Sequence, residues 1–462
     1  MDAVRATPAG RLRPPFVWGV STSSYQIEGA VSEGGRGPSI WDSYCRQPGR
    51  IANGDTGDVA CDHYHRYLDD IGLMRELGIN AYRFSVAWPR VMPAGRGAVN
   101  EAGLAFYDRL IDALIAAGIE PWLCLYHWDL PQALGELGGW TNRDCAQWFA
   151  DYAMLIARRY GDRVKRFATF NEPSVFTLFG FCLGGQAPGL ADHAMLLRAI
   201  HHVNLGHGAA VDVLRASVGE ALLGCIHNWQ PCVPATDDPQ DASAARKFDA
   251  YWNGAFPDPQ QLGYYPPILA DAMLPYQLPG DLARICRPAD WFGLNHYSPL
   301  YVKADPNNPL GVGFGAAPAG VPRSSMGWPL QPEAFRETLL HVHRRYGLPI
   351  YVTENGTASA DAINGDGGIV DQPRIDFLRS YTAAMFDAIR DGADVRGYFV
   401  WSLLDNFEWG SGYSQRFGLV YVDYPTQRRI PKASFHWYAQ LIKTATIEPA
   451  DAQPLQRSAQ VS

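Results

Sequence analysis

The sequence predicts a single closed (β/α)8 barrel, and three observations carry that prediction. Short runs of β-branched and aromatic residues alternate with long amphipathic stretches from near one end of the chain to the other. Eight strand candidates stand against eight helix candidates, which suits a sheet closed on itself better than an open doubly wound one. No Gly/Ser linker or break in composition interrupts the series, so the 462 residues read as one domain, although this length is also common for two or three.

In chain order the strands are expected at 16–26, 81–88, 120–129, 166–172, 221–229, 291–302, 349–354 and 396–404, each rich in β-branched or aromatic residues. The helices are expected at 69–77, 104–117, 145–160, 195–213, 244–256, 332–346, 374–391 and 434–444, where apolar residues recur at helical spacing. Gly78, Gly118, Gly161, Gly347 and Gly392 follow five of these helices, at the position where a left-handed residue closes a last turn. Three connections, 32–60, 228–241 and 303–331, are too long for simple turns and belong where barrel loops build a site. The barrel is expected over 15–448, between polar tails rich in Pro, Ala and Gln at 1–14 and 449–462.

Composition narrows the function. A hydrophobic fraction of 47% with 19% charged residues supplies a large core and excludes global disorder. The net charge of -8 argues against a nucleic-acid partner, which favours a basic face, and is compatible with a neutral small molecule. The 8 cysteines are dispersed without a C-x-x-C pair and read as buried thiols. The first residues carry arginines and prolines but no apolar core of a secretory signal, and no stretch approaches the roughly 20 apolar residues of a membrane span, so a cytoplasmic enzyme is the expectation. Aromatic residues reach 12%, many beside carboxylates, and such rings stack on the C–H faces of sugars.

In a barrel the chemistry belongs at the C-terminal ends of the strands. Two glutamates fall there: Glu172 in Thr169-Phe170-Asn171-Glu172-Pro173, and Glu354 in Val352-Thr353-Glu354-Asn355-Gly356. One such glutamate is often a cap or a surface charge. Two of them, with Arg83, His127, Asn171, Glu408 and several aromatics at other strand ends, form a constellation. Cleavage of a glycosidic bond needs one carboxylic acid to protonate the leaving oxygen and a second carboxylate to attack the anomeric carbon or activate water. Strands four and seven lie on opposite sides of a barrel mouth, which sets the pair across a sugar.

The chain resembles glycoside hydrolase family 1, the β-glucosidase family, from Phe16-Val17-Trp18-Gly19 to about Tyr438. The resemblance rests on motifs in barrel order: Ser24-Tyr25-Gln26-Ile27-Glu28-Gly29, Tyr82-Arg83-Phe84-Ser85, Leu125-Tyr126-His127-Trp128-Asp129, Asn171-Glu172-Pro173, Gly293-Leu294-Asn295-His296-Tyr297, Thr353-Glu354-Asn355-Gly356 and Trp401-Ser402-Leu403-Leu404-Asp405-Asn406-Phe407-Glu408-Trp409. It implies that Glu172 is the acid/base and Glu354 the nucleophile of a retaining mechanism, whose carboxyls stand about 5 Å apart. It also implies that Arg83 neighbours the nucleophile and that Tyr297 and Asn295 orient its carboxylate. Gln26, His127, Asn171, Trp401, Glu408, Trp409 and Phe417 match sugar-binding positions, and Trp328 the platform for the leaving group.

The resemblance implies a small β-glucoside or cello-oligosaccharide as the partner molecule. The 6-phospho-β-glycosidase branch typically carries Ser at the position of Glu408, so that alternative is disfavoured, as is a non-catalytic sugar-binding barrel, given both glutamates. Fucoside and galactoside activities are implied only as side reactions. Two departures fall on the leaving-group side: Ser174 stands where many relatives have Trp, and Gln186 where His precedes Ala-Pro-Gly. No cofactor is expected. No metal is expected either, since His63, His65, His201, His202 and His207 read as packing or surface residues and 361–367 lacks the alternating ligands of a calcium loop.

Overall fold

The computed structural model describes residues 16–445, so the tails expected at 1–14 and 449–462 lie outside the described residues. Eight strands form the barrel: β1 Val17–Ser21, β2 Ala81–Ser85, β3 Glu120–Tyr126, β4 Arg166–Asn171, β5 Leu222–Asn228, β6 Trp291–Asn295, β7 Ile350–Asn355 and β8 Val395–Trp401. Each pairs in parallel with its sequence neighbours, and β1 closes on β8 from Val17 opposite Gly397 to Ser21 opposite Trp401. The predicted closed (β/α)8 barrel is the observed fold.

A helix follows each strand: α1 His63–Leu77, α2 Glu101–Ala116, α3 Cys145–Tyr160, α4 His193–Ser217, α5 Pro239–Asp249, α6 Pro332–Tyr346, α7 Gln372–Arg390 and α8 Ala433–Thr444. Their apolar residues recur at helical spacing, as in α2, which buries Leu104, Tyr107, Leu110, Ile111 and Leu114. These faces cover the outer side of the barrel and build the main core with Val20, Tyr82, Phe84 and Leu123.

The barrel interior has its own core, made of Val17, Ala81, Trp122, Cys124, Ala168, Ile226, Trp291, Tyr351 and Phe399. Trp122 packs against Trp291, Tyr351 and Phe399 at centroid distances of 5.3, 4.7 and 5.2 Å. A Cβ at Gly224 would lie 2.5 Å from the Trp291 ring, so only glycine lets this plug close. With the lower barrel filled, a ligand has room only at the C-terminal mouth.

Several boundaries differ from the sequence expectation. The run 16–26 stops at Ser21 and turns into a short helix, Ser24–Ile27. The run 291–302 divides around Tyr297-Ser298-Pro299, and its second part, Leu300–Ala304, joins a small outer sheet with Cys232–Pro234 and Val312–Phe314. The proline supplies no backbone donor where a ladder would need one. A second unanticipated unit is the hairpin of Val420–Asp423 and Arg428–Pro431. Of the five cap glycines, four have positive φ, whereas Gly161 keeps a right-handed φ of -68. It is small for another reason: a Cβ there would meet the Ala157 carbonyl at 2.4 Å. Among the described residues no helix is long and apolar enough to cross a membrane.

Candidate active site

The mouth of the barrel opens into a cavity of about 690 Å³. Its wall includes Glu172, Glu354, His127, Asn171, Tyr297, Trp328, Trp401, Glu408, Trp409 and Phe417, drawn from strand ends and loops far apart in sequence.

Glu354 is the last residue but one of β7, where the register with β6 slips between Val352 and Glu354, an irregularity that re-aims the side chain toward the mouth. Its carboxylate has two donors: Arg83 Nη1 at 2.5 Å on Oε1 and Tyr297 Oη at 2.6 Å on Oε2. Arg83 and Glu354 are both almost wholly buried, so this ion pair is shielded from solvent and salt. Burial and the Glu354 charge push the Tyr297 phenol well above its ordinary range, so it stays a proton donor to the carboxylate.

Glu172 follows β4 directly and adopts a left-handed backbone, φ 47 and ψ 60, which costs a non-glycine residue about 1 kcal/mol or more. Its N–H donates to Ile226 O of β5 at 2.8 Å, and Pro173 then starts the next helix. Among the described residues one side-chain donor reaches its carboxyl, Asn295 Nδ2 at 2.9 Å. Burial, and next the Glu354 charge, raise its pKa from 4.5 to about 8, against the opposing pull of that amide and of Arg83.

A continuous chain of hydrogen bonds joins the two carboxyls. Asn295 Nδ2 bridges Glu172 and Asn171 Oδ1, at 2.9 and 3.1 Å, and Asn171 Oδ1 also accepts from Arg83 Nη2 at 2.6 Å. Arg83 then meets Glu354. Thr353 Oγ1 donates to Asn295 Oδ1 at 2.7 Å and fixes which end of that amide faces Glu172. Asn171 Nδ2 lies 3.1 Å from His127 Nε2. Burial, with Arg83 beside it, drives the His127 pKa far down, so the ring is neutral.

Aromatic rings floor the cavity. Trp401 ends β8 and lies 5.9 Å from the His127 ring at 19°, while Trp409 stacks on Trp128 at 4.5 Å. Trp328, Tyr297 and Phe417 pack together at 5.4 to 6.1 Å on the adjoining wall. Glu408 enters between these groups with no side-chain hydrogen bond from the described residues, and burial followed by the Glu354 charge raises its pKa to about 8.

Three expected residues stand behind the wall. Arg83 is buried beneath Glu354. Asn295 reaches Glu172 and Asn171 rather than Glu354, so its expected partner is corrected: it is Tyr297, two residues on, that extends to the other carboxylate. Gln26, expected to contact sugar, is wholly buried and is not among the lining residues. Its Oε1 accepts from Ser23 Oγ at 2.6 Å, and its Nε2 donates to Asn406 Oδ1 at 3.1 Å and Phe407 O at 2.8 Å, which ties it to the loop carrying Glu408. Sequence reasoning missed Asn228, Gln230, Phe179 and Trp252, which line the outer cavity. Asn228 ends β5 and was legible by the same strand-end rule; Trp252 comes from a helical connection and carried no signal.

The sequence profile of glycosyl hydrolase family 1 matches residues 9–447. The chain belongs to glycosyl hydrolase family 1. Within this family it is 44% identical to β-glucosidase A of Thermotoga maritima over 438 residues, 94% of this chain and 98% of that one. It is likewise 44% identical to a bifunctional β-D-glucosidase/β-D-fucosidase of Bifidobacterium breve, covering 92% and 97% of the two chains. The solved family 1 β-glucosidase of Thermotoga maritima superposes with a TM-score of 0.91 at 43% identity, covering 96% of this chain and all of that one. The same protein in complex with glucoimidazole superposes with a TM-score of 0.90, covering 95% of this chain and 100% of that one. The protein is therefore a glycoside hydrolase, and its whole barrel corresponds to theirs. Among the described residues no cluster of His, Cys, Asp or Glu could hold a metal ion.

Proposed function

We propose that this family 1 enzyme is a retaining β-glucosidase that removes terminal β-glucosyl units from small β-glucosides or cello-oligosaccharides. The observation that carries the reading is the contrast between two carboxyls in one cavity. Glu354 is held by Arg83 and Tyr297, whereas Glu172 is buried with a raised pKa.

In the first step a Glu354 oxygen attacks the anomeric carbon. The bond to the leaving oxygen breaks, and Glu172 gives that oxygen its proton. The glycosyl ester removes the charge of Glu354, and with it one cause of the raised pKa of Glu172. Glu172 then takes a proton from water as the water oxygen attacks the same carbon, and Glu354 leaves as a carboxylate. Two inversions give net retention.

In this reading Trp401 supports the sugar ring, while His127, Asn171 and Glu408 receive its hydroxyls with Trp409 and Phe417 beside them. Gln26 acts through the Glu408 loop, and Trp328 faces the leaving group. Glu408 also disfavours a glucoside 6-phosphate, because a buried carboxyl offers a phosphate dianion no positive charge. A side activity on β-fucosides is supported by the bifunctional relative. Residues 16–445, the described part of the span expected at 15–448, form the catalytic domain in this reading. The eight free cysteines, six of them buried, suit a reducing cytoplasm.

Glu354→Gln should lower turnover of an aryl β-glucoside by roughly a thousandfold or more, and the first sugar released by the wild type should be the β-anomer by NMR. Undiminished turnover in the variant would remove Glu354 as nucleophile, and release of the α-anomer would remove retention. Faster turnover of the glucoside 6-phosphate would overturn the substrate assignment.

A further inference from the structure

A second, small cavity shares no lining residue with the one at the barrel mouth, and its wall includes Ser24, Glu28, Arg36, Arg90 and Asp129. Three of these charges are engaged with other groups. Glu28 accepts from Arg90 Nε at 2.8 Å and from Tyr107 Oη at 2.5 Å, and Arg36 Nη1 donates to Asp42 Oδ2 at 2.9 Å. Asp129, at 0% exposure, has a single side-chain partner among the described residues, Ser24, whose Oγ donates to Oδ2 at 2.8 Å. Its Oδ1 has no partner among them. A buried carboxylate without a cation is unfavourable, so the group holds its proton instead. Burial raises the Asp129 pKa from 3.8 to about 7, with Ser24 and Arg36 pulling against it and Glu28 adding to it.

Ser24 connects this acid to the mouth of the barrel. It opens the short helix Ser24–Ile27, its N–H donates to Ser85 Oγ at the end of β2 at 2.8 Å, and Ser85 Oγ donates to Ser24 Oγ at 3.0 Å. In the same helix Gln26 holds Asn406 Oδ1 and Phe407 O, directly before Glu408, and its carbonyl accepts from Phe407 N at 3.2 Å. On the other side, Asp129 follows His127 and Trp128, which line the large cavity. Trp128 has a φ of 79, a left-handed backbone that persists only where its surroundings hold it. On the β-glucosidase reading this inference rests on, His127 and Glu408 receive sugar hydroxyls. The bond between Asp129 and Ser24 therefore joins the two segments that present them.

We propose that Asp129 is a positioning residue for sugar binding: as an uncharged acid bonded to Ser24, it fixes the segment carrying His127 against the helix that holds the Glu408 loop. It touches no sugar itself. Because it works as a neutral acceptor, an amide of the same shape can replace it, whereas a side chain without an acceptor cannot.

The test is made below the Asp129 pKa, on the wild type, Asp129→Asn, Asp129→Ala and Ser24→Ala. The dissociation constant of phenyl 1-thio-β-glucoside, which resists hydrolysis, is measured by calorimetry beside kcat and KM on an aryl β-glucoside. One neutral hydrogen bond corresponds to about a fivefold to tenfold effect. The dissociation constant and KM should both rise by that factor in Asp129→Ala and in Ser24→Ala, while kcat stays within about twofold, the pattern of binding lost equally from ground and transition states. Asp129→Asn should bind and turn over like the wild type. Unchanged binding in both alanine variants would overturn the proposal, as would a fall in kcat with KM unchanged. A loss in Asp129→Asn as large as in Asp129→Ala would overturn the uncharged role. If Asp129→Ala does not fold, Ser24→Ala decides, since it removes the same bond and leaves the acid in place. Failure of the wild type to bind the thioglucoside and to hydrolyse the aryl glucoside would instead overturn the glucosidase reading.

Discussion

Glu172 and Glu354 are the same side chain in the same cavity, and their surroundings separate them. Glu354 has a guanidinium and a phenol as donors, while Glu172 has one amide among the described residues and a buried place beside the Glu354 charge. An acid must be protonated to act, so activity that needs Glu172 is present below its pKa of about 8 and lost as pH rises through it. The pH profile of kcat/KM on an alkyl β-glucoside should therefore have a descending limb near 8. Glu172→Gln should abolish that limb and lower the rate on the alkyl glucoside by roughly a hundredfold to ten-thousandfold, with a far smaller loss on a dinitrophenyl glucoside, whose leaving group needs little protonation. A limb of the same position in the variant would assign it to another group.

At the scale of elements, the strand ends carry the site, and their precision depends on close approaches between backbones. A Cβ on Gly356 would sit 1.9 Å from the carbonyl oxygen of Trp401, so the chain leaving β7 presses directly on the end of β8. Gly356→Ala should therefore displace both Glu354 and Trp401, lowering stability by roughly 1–3 kcal/mol and kcat/KM together. Gly365→Ala, with nothing within 4 Å of its Cβ, serves as the control and should change neither. The strands were legible in the sequence because each is a short apolar run ending in a polar or breaking residue, which also exposed Glu172 and Glu354. The outer sheet and the hairpin were not. Cys232–Pro234 and Val312–Phe314 are only three residues long and exist through pairing with Leu300–Ala304, a contact between distant segments that no local pattern encodes. The partner of Asn295 was illegible for a related reason: which carboxyl an amide meets depends on register across strands.

At the scale of the whole molecule, the loops over the mouth are tied to the outer helices by a buried ion network. Lys432, wholly buried ahead of α8, donates to Asp361 at 2.5 Å and to Asp405 at 2.6 Å. Arg374 of α7 pairs with Asp361 at 2.8 Å and also with Asp371, while Arg416 meets Asp405 at 2.6 Å. Asp405 further accepts from Gly418 N at 2.9 Å, so one carboxylate clasps the loop leading to Glu408 against the segment bearing Phe417. Burial weakens the charged state of Lys432, and its two aspartates counter that effect. Removing one member of such a network leaves buried charge without compensation, which is far costlier than losing a surface pair. Lys432→Met should therefore destabilise the fold by about 3–5 kcal/mol, seen as a lower unfolding midpoint in denaturant, although Lys432 does not line the cavity. Because Asp405 loses a donor three residues before Glu408, KM for glucosides should rise in the same variant under conditions where it remains folded. A normal midpoint with a raised KM would make the lysine a device for the loop alone, and a lowered midpoint with unchanged KM would make it a brace for the barrel alone.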